Sequence, residues 1–193
     1  PNGTNDVYTA TFTPDDPVNG TATVTVPAST LTDSNGNDNT EGQVSIAVNT
    51  VRPTIGIVSV PTSVGGTDVA VITFTLSAAS TDFLTGDATA TGGTLSALAG
   101  SGSSYTATFT PTGSSTTAGV VSVAAGAFTD ADGNENLAAT SLPITVDTEA
   151  PTVTISSDLS TLVIGQTANL TFALSEDSTT FTAADVLVTG GVP

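Results

Sequence analysis

A run of polar residues at 129–134, T-D-A-D-G-N, carries side chains that could bind a metal ion. Asp130, Asp132 and Asn134 stand at alternate positions around a glycine. Calcium accepts six to eight oxygen ligands from flexible loops, whereas magnesium demands a tighter octahedral geometry. Asp, Asn and Gly are also the commonest turn residues where no metal binds. The glycine stands at the fourth position instead of the sixth, so the run is not an EF-hand loop. A calcium site and a plain polar turn both stay open.

Two further groups of oxygen-bearing side chains accompany this run. The turn T-D-S-N-G-N at 32–37 repeats it and contributes Asp33, Asn35 and Asn37 as candidate ligands. The other group consists of carboxylates, which are hard ligands of the kind that calcium prefers. Its members are Asp147, Glu149, Glu176 and Asp177.

Short β-strands must position these turns. Segments such as YTATFT and TATVTV alternate small or polar residues with apolar ones, which is the period of a half-buried strand. Val and Thr dominate, as on pleated surfaces, and no segment shows a helical stripe. Seven strands are predicted between residues 50 and 147, at 53–60, 67–77, 86–91, 94–98, 103–110, 118–126 and 140–147. Seven short strands in about a hundred residues are typical of an immunoglobulin-like β-sandwich, so the predicted fold class is all-β.

The chain repeats itself with a period of about 98 residues. YTATFTP occurs at 8–14 and at 105–111, and TFTLSAAS at 73–80 corresponds to TFALSEDS at 171–178. The repeat predicts tandem sandwiches. We expect one complete unit at 50–147, the C-terminal half of a unit at 1–49, and the N-terminal half of the next unit at 148–193.

Three segments carry a family resemblance: AGAFTDADGN, VDTEAPTVTI and FTAADVLVTGG. They resemble the bacterial immunoglobulin-like repeats of giant secreted adhesins of the RTX type, and the resemblance extends over the whole chain. It implies a stalk of many repeats that holds a binding domain away from the cell. It also implies calcium at or near the junctions between repeats, where the ion stiffens the stalk.

The predicted strand order places the candidate ligands at these junctions. The turn after the second strand and the turn before the seventh lie at the end where the unit begins, beside the incoming linker. The second junction is therefore expected to gather the four carboxylates, and a following unit that begins like residue 1 would add Asp33, Asn35 and Asn37. The first junction contains the chain's only cation, Arg52. It is expected to hold either a reduced calcium site or an Arg52 pair with Asp130 or Asp132.

Composition excludes several classes of function. The chain has 18 acidic residues and one basic residue, with a net charge of −17. Nucleic acids and anionic membranes are therefore not expected partners, because both attract clustered Lys and Arg. His and Cys are absent, so Ser-His-Asp and Cys-His catalysis and thiolate metal ligands are excluded. No apolar run has the length of a membrane helix, and membrane insertion is not expected.

These observations predict a structural protein and not an enzyme. We expect an extracellular spacer of tandem sandwiches in a secreted or cell-surface adhesin fibre, whose partners are neighbouring repeats of the chain. Two alternatives stay open. One is a polymerising fibre subunit, in which identical chains join end to end through complementary half-domains. The other is a carbohydrate-binding module, although the chain has no Trp and only two Tyr to form a sugar-stacking surface.

Overall fold

The computed structural model describes residues 7–139 and 142–191. Twelve strands and two three-residue 3-10 helices, Thr85–Asp87 and Ala183–Asp185, lie in this part of the chain. In the same ranges, no helix combines the length and the apolar character needed to cross a membrane. Residues 140–141 of the seventh predicted strand lie outside the described residues.

The middle of the chain folds into two four-stranded sheets. Its strands are β3 (Ile55–Val60), β4 (Ser63–Gly65), β5 (Ala70–Ser80), β6 (Ala88–Thr91), β7 (Gly93–Leu95), β8 (Ala99–Pro111), β9 (Gly119–Val123) and β10 (Leu142–Asp147). One sheet has the order β3-β5-β8-β7 and the other the order β4-β10-β9-β6. Neighbouring strands are antiparallel, except that β4 runs parallel to β10. The predicted all-β, immunoglobulin-like sandwich is confirmed.

Alternation along the strands builds the core between the two sheets. In β5, Ile72 and Phe74 are fully buried, while the intervening Thr73 is partly exposed. Successive side chains of a strand point to opposite faces, so one face of each sheet can be wholly apolar. The opposing sheet presents Val121 and Ile144, which are also fully buried. Each such side chain contributes about 1.5–3 kcal/mol by leaving water.

Aromatic side chains close the core at the end where the unit begins. Phe83 follows β5, and its ring centroid lies 5.1 Å from those of Tyr105 and Phe128 and 5.6 Å from that of Phe74. These edge-on and tilted contacts suit the quadrupoles of the rings. Because Phe83 and Phe128 belong to loops, they fix the β5–β6 loop and the β9–β10 loop to the core.

The seven predicted strands of the middle unit are all present, with shifted ends. β5 extends three residues beyond its predicted end, and β8 starts at Ala99 instead of residue 103. β4 was not predicted. It has three residues, too few to show a period, and only its Val64 enters the core. It exists because the chain crosses from one sheet to the other after β3 and there pairs with β10.

The flanking segments form one two-stranded antiparallel sheet each. β1 (Asn19–Val26) pairs with β2 (Gly42–Asn49), and β11 (Val153–Ser157) pairs with β12 (Leu170–Leu174). Each sheet has one apolar face, which period-2 alternation requires. On both sheets that face carries exposed side chains: Val24, Val26, Val44 and Ile46 on the first, and Val153, Ile155 and Leu170 on the second.

Candidate functional site

The turn at 129–134 is held by its own first carboxylate. The Oδ1 atom of Asp130 accepts hydrogen bonds from the backbone N–H groups of Asp132 (3.0 Å) and Asn134 (2.9 Å). Its Oδ2 atom accepts one from Asn134 Nδ2 at 3.1 Å. Partial burial pushes the pKa of Asp130 upward, but the hydrogen bonds from Asn134, Asp132 and Gly133 outweigh it and hold the pKa below its ordinary value. These contacts are those of a polar turn.

The turn at 32–37 has the same geometry. Asp33 Oδ1 accepts hydrogen bonds from the backbone N–H groups of Asn35 (2.8 Å) and Asn37 (2.9 Å), and Asp33 Oδ2 accepts one from Asn37 Nδ2 at 2.9 Å. The Asn37 side chain is the main cause of a lowered pKa at Asp33, followed by the two backbone donors. In both turns, N–H donors occupy three of the roughly four lone-pair sites of the carboxylate, which leaves about one for a cation.

A buried asparagine that was not among the predicted site residues anchors the β9–β10 loop. Asn136 Oδ1 accepts hydrogen bonds from the backbone N–H groups of Ala127 (2.7 Å) and Phe128 (3.0 Å). Its Nδ2 atom donates to the carbonyl oxygens of Ala124 (2.7 Å) and Leu137 (2.8 Å). A signal for this residue existed. The two copies, TDSNGNDN and TDADGNEN, agree at their last position as well as within the turn.

The β5–β6 loop is fastened to the β9–β10 loop by Asp82. Its Oδ1 atom accepts the Thr129 N–H at 3.0 Å, and its Oδ2 atom accepts the Thr129 hydroxyl at 2.8 Å. Ser80 donates its hydroxyl to Asp82 at 2.7 Å and is the main cause of a lowered pKa at that carboxyl, followed by the Thr129 N–H. The two loops therefore lie together at the end of the unit where the incoming linker arrives.

At the first junction, the incoming linker binds the β9–β10 loop through Arg52. The Arg52 Nε atom donates to the carbonyl oxygen of Glu135 at 2.9 Å, and Nη2 donates to that of Asn136 at 3.3 Å. The ion pair is made with the Glu135 carboxylate, at 3.6 Å. The predicted pairing of Arg52 with Asp130 or Asp132 is therefore wrong. The Asp130 carboxylate faces its own turn, so it is not the arginine's partner.

Asp132 is instead bound by the preceding segment. Asn49, the last residue of β2, donates its Nδ2 to Asp132 Oδ2 at 2.6 Å. The backbone N–H of Leu137 donates to the carbonyl of Pro53 at 2.8 Å, one residue after Arg52. The linker and the loop are thus joined at several points by direct contacts.

The second junction carries carboxylates in its linker and in the turn after β12. Asp147, Glu149 and Glu176 line one cavity of about 250 Å³, together with the hydroxyl-bearing Thr116 and Ser175. The fourth predicted ligand, Asp177, lines a neighbouring cavity that Glu176 also borders. Among the described residues, no three acidic side chains form a ready-made group that could hold a metal ion. No basic side chain accompanies these carboxylates, because the chain's single Arg lies at the first junction.

In both linkers, a threonine hydroxyl forms hydrogen bonds with the unit that precedes the linker. Thr50 Oγ1 accepts the Val18 N–H at 2.8 Å and donates to the Asp15 carbonyl at 2.8 Å. Thr148, its counterpart, accepts the Ser115 N–H at 3.0 Å and donates to the Thr112 carbonyl at 2.7 Å. The two junctions therefore share their backbone anchoring and differ in the charged side chains around it.

Comparison with known proteins assigns the chain to a family. Models of a bacterial Ig-like domain match three consecutive stretches, residues 2–50, 49–146 and 147–192. No curated protein matches the chain. Among solved structures, the chain is similar to the Yersinia pseudotuberculosis adhesin InvE, at 27% identity and a TM-score of 0.39. The similarity covers 65% of this chain and 35% of that one, so the chain spans about a third of the adhesin's length. Because the family matches together span nearly every residue, the chain belongs to the bacterial Ig-like domain family.

Proposed function

We propose that this chain is a spacer segment in the stalk of a secreted or cell-surface adhesin. The observation that carries the proposal is the first junction, where Asn49 and Arg52 bind the β9–β10 loop of the next unit directly. A linker bound at several points restricts the angle between consecutive units, whereas an unattached linker leaves it free. Tandem units with restricted junctions make an extended rod, which is what a spacer requires.

The role is structural and not catalytic. The residues gathered at the junctions are acids, amides and one arginine, and their hydrogen bonds are used to hold loops and linkers in place. The large negative charge keeps a long array soluble and discourages contacts between neighbouring arrays. An extracellular or cell-surface position follows from the proposed adhesin role.

Calcium is proposed as a component of the second junction. Asp147, Glu149 and Glu176 supply carboxylate oxygens, and Thr116 and Ser175 supply hydroxyls, at one cavity between the linker and the following segment. These are the hard oxygen donors that calcium takes in flexible geometry. A bound ion would supply the positive charge that Arg52 supplies at the first junction. The turns at 32–37 and 129–134 fit an ion less well, because their Asp carboxylates already accept several N–H donors.

The spacer role is tested by joining one, two or three copies of the 193-residue segment in a single chain. Small-angle X-ray scattering should show a maximum dimension that grows linearly with the number of copies. Growth with the cube root of mass, as in a globular particle, would contradict the spacer role. This measurement does not depend on whether calcium binds.

The calcium component is tested separately by calorimetry of the 193-residue chain in chelator and in millimolar calcium. At a free calcium concentration of about 100 times the Kd, binding stabilises the folded state by about 2.7 kcal/mol. Asp147→Ala with Glu149→Ala should abolish this gain. The matched control, Asp38→Ala with Glu41→Ala, removes the same charge from the first segment and should leave the gain intact. An unchanged melting temperature for the unmodified chain would refute the calcium component alone.

A further inference from the structure

The contact between Asn49 and Asp132 joins an amide on one unit to a carboxylate on the next. Asn49 ends β2, and its Nδ2 atom donates to Asp132 Oδ2 at 2.6 Å. The Oδ1 atom of Asn49 is engaged separately, because it accepts the backbone N–H of Val51 at 3.2 Å. An asparagine at this position therefore uses its acceptor within the linker and presents its donor to the following unit. The turn residue that meets it must be an acceptor, and an aspartate supplies one.

At both positions, the repeat-equivalent residue has the other kind of side chain. The residue 98 positions after Asn49 is Asp147, which ends β10, and the residue 97 positions before Asp132 is Asn35. An aspartate at the linker position has two acceptor oxygens and no donor. If one oxygen accepts the N–H two residues on, as Asn49 Oδ1 does, the other presents an acceptor to the following unit. The turn residue that meets Asp147 must then be a donor, and Asn35 is the amide that the chain has at that position.

The two turns direct the residue at this position in the same way. The backbone N–H of Asn35 donates to Asp33 Oδ1 at 2.8 Å, and that of Asp132 donates to Asp130 Oδ1 at 3.0 Å. The glycine that follows has a φ of 82° in the first turn and 85° in the second, a left-handed conformation that suits glycine. Asn35 and Asp132 are both exposed. Because the backbone is held alike, a turn of either kind brings this side chain to the same place at the end of the unit that receives the linker.

We propose that this pair of positions determines which units can follow one another. A unit that ends in asparagine, as at Asn49, binds a unit whose turn carries aspartate, as at Asp132. A unit that ends in aspartate, as at Asp147, binds a unit whose turn carries asparagine, as at Asn35. The partner of the Asp147 linker is therefore a bacterial Ig-like unit with an amide in its turn. The inference rests on the proposed spacer role, because both members of a pair belong to consecutive units of one array, and it adds a rule for their order.

Mismatched pairs are disfavoured for electrostatic reasons. Two aspartates place acceptor against acceptor, and two like charges at hydrogen-bond distance repel each other. The chain's only basic side chain, Arg52, does not relieve this repulsion, because it is engaged by Glu135. Two asparagines can still form a hydrogen bond, but it lacks the charge that makes an amide–carboxylate bond shorter and stronger. The matched pairs are therefore favoured over both mismatches, and the pair of aspartates is the worse mismatch.

Exchanging the two residues of the first junction tests the proposal in the 193-residue chain. Because the chain has no cysteine, the exposed positions Thr23→Cys on β1 and Thr75→Cys on β5 provide the only two sites for spin labels. Double electron–electron resonance in chelator then measures the distribution of distances across the junction. Asn49→Asp should broaden that distribution, because it places two carboxylates together. Adding Asp132→Asn should narrow it again, because the exchanged pair is the one predicted for Asp147.

Gln43→Glu is the matched control for this experiment. It makes the same amide-to-carboxylate change on the same strand, but at a residue whose side chain contacts Thr25 and not the turn. The distribution should stay as it is in the unmodified chain. A broad distribution in the unmodified chain would overturn the proposal, and so would an Asn49→Asp variant that is as narrow as the control or that Asp132→Asn fails to restore. Restoration is decisive, because two substitutions that merely damage the fold add their effects and do not cancel them.

Two copies of the segment joined in one chain test the predicted Asp147 pair, because the second copy supplies a turn of the Asn35 kind after the first copy's linker. Spin labels at Thr75→Cys and Thr171→Cys of the first copy span the second junction, again in chelator so that calcium does not contribute. Asn35→Asp in the second copy should broaden the distance distribution, and Asp147→Asn in the first copy should narrow it again. A distribution that is already broad in the unmodified tandem, or that Asn35→Asp leaves unchanged, would overturn the pairing of Asp147 with an amide. The spacer role is tested independently, because it depends on the linear growth of unmodified copies in scattering and not on which residues pair.

Discussion

Replacing Asn136 by alanine should destabilise the middle unit far more than the same change at Asn134 in the same β9–β10 loop. The side chain is fully buried and makes four hydrogen bonds, two to backbone N–H groups and two to carbonyl oxygens. Each such bond has a net worth of about 0.5–1.5 kcal/mol, and a buried group left without a partner costs about 1–3 kcal/mol. The four bonds together predict a loss of about 2–6 kcal/mol. A domain of this kind has a total stability of about 5–15 kcal/mol.

Tyr105 fluorescence provides the assay. The chain has no Trp and two Tyr, of which Tyr105 is buried against Phe83 and donates its hydroxyl to the Ser80 carbonyl at 3.0 Å. The other, Tyr8, is exposed, and Tyr8→Phe leaves Tyr105 as the single reporter of the middle unit. Urea unfolding of this background, with and without Asn136→Ala, gives the difference in free energy of unfolding.

Asn134→Ala is the matched control, since Asn134 lies two residues away and its side chain makes one hydrogen bond, to Asp130. Its removal should cost about 0.5–1.5 kcal/mol. If Asn136→Ala costs no more than Asn134→Ala, the reasoning from buried hydrogen bonds is refuted. The carbonyl of Asn136 also accepts from Arg52, so the larger loss should be accompanied by a looser first junction in scattering measurements.

Three further changes test other parts of the structure. Gly119→Ala should cost about 1–3 kcal/mol in urea unfolding, because its new Cβ would lie 2.5 Å from Phe109 Cζ, while Gly113→Ala, with open space around it, should be nearly neutral. The lowered pKa of Asp82 means that its charge stabilises the folded state above about pH 4 and loses that effect as the pH falls through the lowered value. The stability difference between the unmodified chain and Asp82→Asn should therefore be constant from pH 5 to 7 and shrink in unfolding experiments at about pH 3. Arg52→Lys should loosen the first junction in calcium and in chelator alike, because an ammonium cannot reproduce the two directed bonds to carbonyl oxygens, and a response in only one condition would contradict this.

The strands of the middle unit could be predicted because their signals are long and local. β5 has eleven residues and β8 thirteen, and period-2 alternation runs over residues 70–77 of β5 and 105–110 of β8. The predicted strand order placed the turn after the second strand and the turn before the seventh strand at the same end of the unit. The hydrogen bond between Thr129 and Asp82 joins the β9–β10 loop to the β5–β6 loop at that end. β4 could not be predicted, since it depends on pairing with β10 far along the chain.

The contacts at the junctions depend on side-chain directions that the sequence does not contain. Asp130, Asp132 and Glu135 lie within six residues of one another, and all three were reachable partners for one arginine. The turn geometry decides among them, because it directs the Asp130 carboxylate inward to backbone N–H groups and leaves Glu135 facing the linker. Asn136 is a different case. The sequence shows that both copies of the turn end in asparagine, but the role of Asn136 in holding the loop follows only from its burial.

The parallel pairing of β4 with β10 determines how the middle unit responds to tension. When the two ends of this unit are pulled apart, as in the proposed stalk, the force reaches β4 by way of β3 and leaves through β10. The two strands run in the same direction, so tension draws them along each other in opposite senses. The Thr145 N–H bond to Thr62 and the Gly66 N–H bond to Asp147, at 3.0 and 3.2 Å, lie in this pair and bear the force together. Separating the ends therefore requires shearing several backbone hydrogen bonds at once, whereas an antiparallel terminal pair would unzip one bond at a time.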